Sequence, residues 1–215
     1  TTIENNIFIK NKSFSYYTDK KEFYSDEKTD LKDNIGNIFS LNKLKFNLNN
    51  KIIRGDKINY TDSQSNKYYI EDAMIDLNSN EIIGKDVNID FNKNTFNNSL
   101  NDPRLKANKV YVSKDVTLTS KGVFTTCKKR EGCPPWVISA EEIKHDKINK
   151  KVYYKNAWLE IYDKPILYFP KFVHPDPTVE RQSGFLVPSI YDSNNLGLAI
   201  DIPYYKVISE NKDLT

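Results

Sequence analysis

The stretch from Arg54 to Leu77, RGDKINYTDSQSNKYYIEDAMIDL, decides the fold of this chain. Apolar and polar residues alternate in both of its halves, with Ile58 and Tyr60 apolar in the first and Ala73 and Ile75 apolar in the second. Successive side chains of a β-strand point to opposite faces of a sheet, so this period of two predicts strands that each bury one face. The polar run DSQSN between the halves is typical of a turn. The stretch is therefore predicted to be a strand, a turn and a second strand.

The same alternation continues along most of the chain. Its apolar positions are Leu44, Phe46 and Leu48; Val87, Ile89 and Phe91; Val116 and Leu118; and Ala157, Leu159 and Ile161. Turns rich in Asn, Asp and Ser separate these segments. No window of about 12 residues carries a convincing helical period, and only Ser139 to Ile148 leaves a short helix open. Many short strands with regular turns predict an all-β fold.

A loose internal repeat indicates how the strands stack. The segment IGKDVNIDFNKNTF (83–96) restarts the strand pattern of the first hairpin. The repeat is too degenerate to indicate a solenoid by itself. It fits stacked antiparallel strands that form a long, open trough of two sheets. Such a body has unpaired edge strands at its ends, where a partner can add a strand.

The amino-acid composition argues against several classes of protein. Aromatic residues make up 13% of the 215 residues, which argues against a disordered chain. The net charge is only +3, and only Arg54, Arg104, Arg130 and Arg181 among the 32 basic residues are arginine, which argues against a nucleic-acid partner. No run approaches the roughly 20 apolar residues of a membrane helix. No apolar leader segment is present either, and we do not expect this absence to mean a cytoplasmic protein.

No pattern of catalytic residues stands out. The acidic pairs Glu71–Asp72 and Glu141–Glu142 are typical of solvated faces, and the only histidines, His145 and His174, are expected on the surface and in a turn. A zinc site needs about four ligands, which this set does not supply. Seven glycines in the whole chain make a phosphate-binding loop improbable. We therefore expect no enzyme, no cofactor and no bound metal.

A proline-rich junction follows the first body of strands. It runs from Cys127 to Pro203, and its second half holds prolines at positions 165, 170, 175, 177, 188 and 203. Along and before it stand, in order, NDPRLKA (101–107), KGVFTTC (121–127), CPPWVISAEEI (133–143), YYKNAWLEIYDKPILYFPKFVHPDP (153–177), RQSGFLVPSI (181–190) and IPYY (202–205). This ordered set resembles the Lpt family of lipopolysaccharide-assembly outer-membrane proteins, over roughly residues 40–205 and most densely over 101–205.

The resemblance implies an architecture and a place in the cell. It implies a periplasmic OstA-type β-jellyroll that binds lipid over residues 1–165, a hinge or linker over 166–183, and the first strands of an outer-membrane β-barrel over 184–215. The segment NLGLAIDIPYYKV (195–207) has the length and alternation of such a barrel strand. The protein is expected in the outer membrane of a Gram-negative cell, with this part of it mostly in the periplasm.

The resemblance also implies a function and partners. Lipopolysaccharide (LPS) would pass from a periplasmic bridge protein, joined by edge-strand addition, through the jellyroll trough into a barrel plugged by an outer-membrane lipoprotein. Proline donates no ladder hydrogen bond, so Pro188 and Pro203 would weaken strand pairing at a lateral gate in the barrel wall. The alternative is that each proline simply marks a strand end.

The two cysteines, Cys127 and Cys133, lie in a loop with Gly132 and two prolines. A disulfide is the favoured interpretation in the periplasm that the resemblance implies. The two cysteines either bond each other or bond barrel cysteines, as the family does.

The trough would hold the acyl chains of the lipid on apolar side chains. The expected lining residues are Phe46, Ile58, Ile75, Ile89, Phe91, Leu118, Leu159 and Ile161, and the alternative for each is an ordinary core position. Two other classes of protein stay open. One is a soluble periplasmic bridge or lipid-binding jellyroll protein, against which the segment RQSGFLVP argues. The other is a polysaccharide-active β-solenoid enzyme, which would need an acidic or His-lined cleft.

Overall fold

The computed structural model describes most of the chain. The described residues are 2–3, 7–32, 38–62, 64–93, 101–129, 131–132, 134–176, 179, 183–186, 189–193 and 197–215. Regular structure within them consists of β-strands, which confirms the predicted all-β class. The segment from Ser139 to Ile148, left open as a helix, falls largely within a strand. No helix in the part of the chain that is described is long and apolar enough to cross a membrane.

Short strands flank a series of long ones. The first five strands are β1 (Thr2–Ile3), β2 (Ile7–Lys10), β3 (Ser15–Tyr17), β4 (Glu22–Ser25) and β5 (Thr29–Lys32). The long strands are β6 (Ile38–Asn47), β7 (Ile52–Thr61), β8 (Lys67–Asp76), β9 (Glu81–Asp90), β10 (Arg104–Val112), β11 (Val116–Thr125), β12 (Trp136–Asp146), β13 (Lys151–Ile161) and β14 (Lys164–Pro175). The last five are β15 (Gly184–Phe185), β16 (Ser189–Ser193), β17 (Gly197–Asp201), β18 (Tyr204–Ser209) and β19 (Lys212–Leu214).

Strands β1 to β14 form one sheet of 14 strands. From β5 onward each strand pairs antiparallel with the next one in sequence, while β3 and β4 form a side hairpin that joins β6. Strands β15, β18 and β19 form a three-stranded sheet, and β16 and β17 form a two-stranded one. The large sheet is thus a meander in which most contacts are between sequence neighbours.

Side-chain oxygens at strand ends close three of the turns between long strands. Asn47 Oδ1 accepts the backbone N–H of Asn49 at 3.0 Å, Asp76 Oδ1 accepts that of Asn78 at 2.8 Å, and Asp146 Oδ1 accepts that of Asn149 at 2.8 Å. Short Asn and Asp side chains favour this local bond, which fixes the turn and hence the register of the two strands. The three turns lie at the same edge of the meander.

The inner face of the large sheet is apolar and buried. Its most deeply buried side chains come from strands far apart in the order, and include Leu41, Phe46, Ile53, Ile58, Val87 and Leu159. Buried positions on β6 to β13 belong to one hydrophobic cluster. Because the described residues hold no helical layer, we infer that the sheet covers its own inner face by folding over. This arrangement is consistent with a jellyroll-like β-sandwich.

A row of bends runs across the middle of the sheet. Lys57, Asp86, Lys121 and Asn156 have φ angles of 49° to 51°, in the left-handed region. The pairing registers of β7 to β13 place these four residues in one line, on alternate strands. Tyr154 and Ala157 lie on either side of the bend in β13, and both side chains point inward. One more outward residue therefore separates them than a regular strand would have, and the bend divides the strand into two arms. We infer that these bends let the single meander fold over its own inner face.

Candidate functional site

Small side chains line part of the inner face beside the bends. Gly55, Ala73 and Gly84 are paired across β7, β8 and β9, on one side of the bend row. On the other side, Ala140 is paired with both Gly122 and Ala157 across β11, β12 and β13. The small residues therefore lie on one side of the bend row in β7 to β9 and on the other side in β11 to β13.

These glycines are places of close approach. A Cβ atom on Gly84 would lie 2.5 Å from Ile70 Cγ2, and one on Gly122 would lie 2.6 Å from Ile143 Cδ1. Both distances are too short for carbon atoms, so the large side chains of neighbouring strands occupy the space above the glycines. The inner face is consequently packed side chain against side chain near the bends.

Most of the expected lining residues do lie on this face. Phe46, Ile58, Ile75, Ile89, Leu159 and Ile161 are buried there, and Phe91 is half-buried against the same cluster. Leu118 differs from the prediction. It pairs with Tyr111 and Lys144 on the outward side of β11, because Thr119 and Gly122 take the inward positions. The alternation that includes Val116 and Leu118 thus lies on the outward side of β11 before the bend at Lys121.

The apolar face opens at the end of the sheet. Strand β14 has β13 as its only strand partner among the described residues. Phe169 and Phe172, with ring centroids 5.3 Å apart, extend the inner aromatic surface onto β14. Leu167 is paired with the buried Leu159 but is 41% exposed. The inner face therefore meets solvent at Leu167 on β14, while Phe172 farther along the strand is buried.

Both histidines of the chain meet at the end of β14. His174 Nδ1 donates to the carbonyl oxygen of Pro175 at 2.6 Å, so its Nε2 accepts the hydroxyl hydrogen of Tyr154 at 3.0 Å. His145 on β12 binds the buried carboxylate of Asp176 through Nε2. The side chain of His145 is 35% exposed, so it lies at the surface as predicted while it binds Asp176. The cluster fastens the end of β14 to β12 and β13.

Burial controls protonation in this cluster. It lowers the pKa of His174 below the ordinary histidine range, and the nearby His145 acts in the same direction. The Pro175 carbonyl and the charge of Asp176 oppose this effect in part. Burial also raises the pKa of Tyr154 far above its ordinary value. His174 and Tyr154 are therefore both neutral at neutral pH, as their hydrogen bond requires.

The cysteine loop is described only in part. Cys127 is half-buried, its Sγ lies 3.9 Å from the carbonyl oxygen of Trp136, and its own carbonyl accepts Arg104 Nη1 at 2.5 Å. Cys133 lies outside the described residues, so the expected disulfide stays a prediction. Among the residues that are described, no group of three or more His, Cys, Asp or Glu side chains is placed to hold a metal ion.

The segment predicted as one barrel strand is interrupted. It is divided at Ile202–Pro203 into β17, which pairs with β16, and β18, which pairs with β15. The carbonyl of Pro203 accepts the backbone N–H of Leu186 at 2.9 Å. Pro203 therefore stands where one strand pairing stops and another starts. Pro188 lies outside the described residues.

Part of this chain is similar in sequence to known proteins. No family model matches it. A Francisella tularensis subsp. novicida protein named LPS-assembly protein LptD is 39% identical over 79 residues, which is 37% of this chain and 9% of that protein. Proteins of the same name from Legionella pneumophila strain Paris and Shewanella denitrificans are each 37% identical, over 109 and 111 residues, or 51% of this chain.

The matched segments make up only a small share of these relatives. They cover 12% of the Legionella protein and 14% of the Shewanella protein. The relatives share one name although they come from different genera. Over about half of its length, this chain is thus related in sequence to LPS-assembly proteins LptD, which confirms the resemblance to the Lpt family expected from its motifs.

Proposed function

We propose that this chain is the periplasmic part and first barrel segment of a protein that transports and assembles LPS at the outer membrane. The lipid-binding jellyroll would extend past the predicted boundary at residue 165 to the end of β14 at Pro175, which leaves residues 176–183 as the hinge and 184–215 as the first barrel strands. The observation that carries the proposal is the apolar inner face, which runs from β6 to β14 and meets solvent at Leu167 on the last strand. The role named in the LptD relatives supports the same function.

The proposed transport needs no chemical step. Acyl chains lose contact with water when they lie against the inner face, which favours binding by about 25 cal/mol per Å² of apolar surface removed from water. Sugars and phosphates of LPS stay in water at the open side of the trough. The exposed Leu167 and half-buried Phe169 on β14 would pass the acyl chains onward toward the barrel.

The proposed protein partners bind at the first strand of the large sheet and in the barrel. Strand β1 has β2 as its only strand partner among the described residues, and an edge strand of this kind accepts a strand from another chain. We assign this edge to the periplasmic bridge protein. The barrel would hold the outer-membrane lipoprotein as its plug.

Photo-crosslinking in cells tests the trough. Benzoylphenylalanine at Phe91 or at Phe169, in the full-length protein, is expected to form adducts with LPS, because both rings lie half-buried against the inner cluster. Benzoylphenylalanine at Tyr69, which points outward from β8 and is exposed, is the matched control and should form none. Equal LPS labelling from Tyr69 and the two inner positions would refute the inner face as the lipid path.

A further inference from the structure

The last strand of the large sheet ends against the first strand of the following region. Strands β14 and β15 lie in contact, although β15 pairs with β18 and not with β14 among the described residues. Gly184, the first residue of β15, is buried and lies beside the ring of Pro175 at the end of β14. A Cβ atom on Gly184 would lie 2.4 Å from Pro175 Cδ and 3.2 Å from Cγ. A larger residue at position 184 therefore fits only if one of the two strands moves.

Asp176, the residue after β14, is fixed to the large sheet by its backbone and by its side chain. Its backbone N–H donates to the carbonyl oxygen of Lys150, in the turn between β12 and β13, at 2.9 Å. Its carboxylate binds Nε2 of His145 on β12, and the residue is only 7% exposed. Its carbonyl oxygen accepts the backbone N–H of Val179 at 3.0 Å. The chain thus leaves the large sheet at a fixed point.

The two ends of the proposed hinge therefore meet. A fully extended chain of the length of residues 176–183 would span about 26 Å. The residues on either side of this segment, Pro175 and Gly184, are instead in contact. The distance between the large sheet and β15 is thus set by this contact and not by the reach of the hinge. We call Pro175, Asp176 and Gly184 the joint.

We propose that the joint is locked, so that it holds the first barrel strand in one orientation to β14 and thereby positions the barrel for transfer of the lipid. Its members are positioning residues that do not touch the exposed part of the lipid path, because Leu167 precedes Pro175 by eight positions along β14. A barrel on a free tether would have a low effective concentration at β14, whereas a locked joint keeps the two aligned. This step rests on the proposed function, which assigns the residues from 184 onward to the barrel.

Exchanging carbon atoms across the contact tests the joint in the full-length protein. Gly184→Ala places a methyl group against the Pro175 ring, and Pro175→Ala removes the two ring carbons that this methyl group would meet. The third near atom, the backbone nitrogen of Pro175, would lie 3.4 Å from the new Cβ, which is an ordinary contact. The Pro175→Ala/Gly184→Ala double variant therefore has space for the methyl group, and it should correct any defect that the overlap causes.

The arrival of pulse-labelled LPS at an external label measures transfer, at equal amounts of folded barrel as judged by migration in unheated gels. We expect Gly184→Ala to lower the rate several-fold, while benzoylphenylalanine at Phe169 still forms LPS adducts because the lipid path itself is unchanged. A variant that only unfolded the jellyroll would lose the adducts as well. Pro175→Ala should lower the rate less, since it leaves a gap and no overlap, and the double variant should transfer LPS faster than Gly184→Ala. Pro165→Ala, the same change at an exposed position near the other end of β14, should behave as the parent.

The contact itself can be observed by nuclear magnetic resonance in the 215-residue chain. We expect a nuclear Overhauser effect between the Hδ protons of Pro175 and the Hα protons of Gly184. The reason is that the hydrogen of Gly184 that an added Cβ would replace points at Pro175 Cδ. This measurement needs neither LPS nor a complete barrel.

Three results would overturn the proposal. They are the absence of the Overhauser effect, LPS arrival at the parental rate in Gly184→Ala, or a double variant that is as slow as Gly184→Ala. Absence of LPS adducts at both Phe91 and Phe169 in the parent would instead count against the trough as the lipid path. The joint would then still be decided by the Overhauser effect and by the rates of LPS arrival, because neither measurement depends on these adducts.

Discussion

The hydrogen bonds of His174 make the stability of the sheet depend on pH. His174 is neutral in the folded chain, with Nδ1 bound to the Pro175 carbonyl and Nε2 to the Tyr154 hydroxyl. Its folded pKa is lowered by burial, while in the unfolded chain it returns to about 6.5. Between these two values the unfolded chain binds a proton that the folded chain does not. Folding is therefore fully favoured above about pH 6.5 and loses stability as the pH falls below it.

Urea unfolding across this pH window measures the effect. We expect the free energy of unfolding to fall from pH 7 to pH 5.5 with a slope of up to about 1.4 kcal/mol per pH unit. The His174→Gln variant should flatten this slope, since an amide can still donate to Pro175 and accept from Tyr154 but does not titrate. The His145→Gln variant is the comparison and should retain most of the slope, because burial is the main cause of the lowered His174 pKa and His145 is a smaller one. A parent-like slope in His174→Gln would contradict this account.

This cluster was beyond the reach of sequence reasoning. His145 and Asp176 are 31 positions apart, and their contact depends on the pairing register of three strands. The motif HPD at 174–176 gave no sign of which strand its side chains would meet. Strand identity, by contrast, followed from local alternation, as Ile58, Ala73 and Leu159 illustrate, because a period of two needs no knowledge of partners.

The mid-strand bends explain why Leu118 does not lie on the inner face. A bend inserts an outward residue, such as Lys121 on β11, and so reverses the parity of inward positions along a strand. On β11 the inward positions are Thr119, Gly122 and Phe124, and an uninterrupted alternation started at Val116 or Leu118 misses the first of them. Lysine, aspartate and asparagine occupy the bends, and none of them marks a left-handed position as clearly as glycine does. The bends therefore left little trace in the sequence.

Substitutions at Lys121 test the bend directly. A left-handed φ costs an L-residue about 1–2 kcal/mol, and glycine avoids this cost. Lys121→Gly should therefore keep or slightly raise the free energy of unfolding, whereas β-branched Lys121→Val should lower it by about 1–2 kcal/mol. Lys121 is exposed, so neither change opens a cavity.

Lys109 supplies the matched control for this prediction. It is exposed on β10, directly opposite Ser120, and its φ is not among the positive ones. At such an ordinary strand position valine should be better than glycine, by up to about 1 kcal/mol. The order of the two variants should thus invert between Lys121 and Lys109 in urea unfolding. The same order at both positions would mean that the bend at Lys121 carries no backbone preference.

At the scale of the whole molecule, the large sheet and the last strands have different kinds of pairing. Strands β6 to β14 are 9 to 12 residues long and pair continuously with their neighbours. Among the described residues, strands β15 to β19 have 2 to 6 residues each and form two separate small sheets. Sheet pairing is cooperative along a strand, so we expect the pairing described in the second region to be the weaker one. A weakly paired region is suited to a seam that has to open.

The proline at the break between β17 and β18 provides the test of this seam. Pro203 has no backbone N–H and so cannot extend the β16–β17 ladder past Ile202. Replacing Pro188 and Pro203 together with alanine restores two donors, and we expect the strands to pair further and the proposed gate to open less often. In cells that depend on the full-length variant, pulse-labelled LPS should reach an external label several times more slowly than in the parent, because one added ladder hydrogen bond contributes about 1 kcal/mol. Pro165→Ala, at an exposed position of β14, is the control and should leave the rate unchanged. Export at the parental rate in the double variant would assign the two prolines to strand ends with no part in gating.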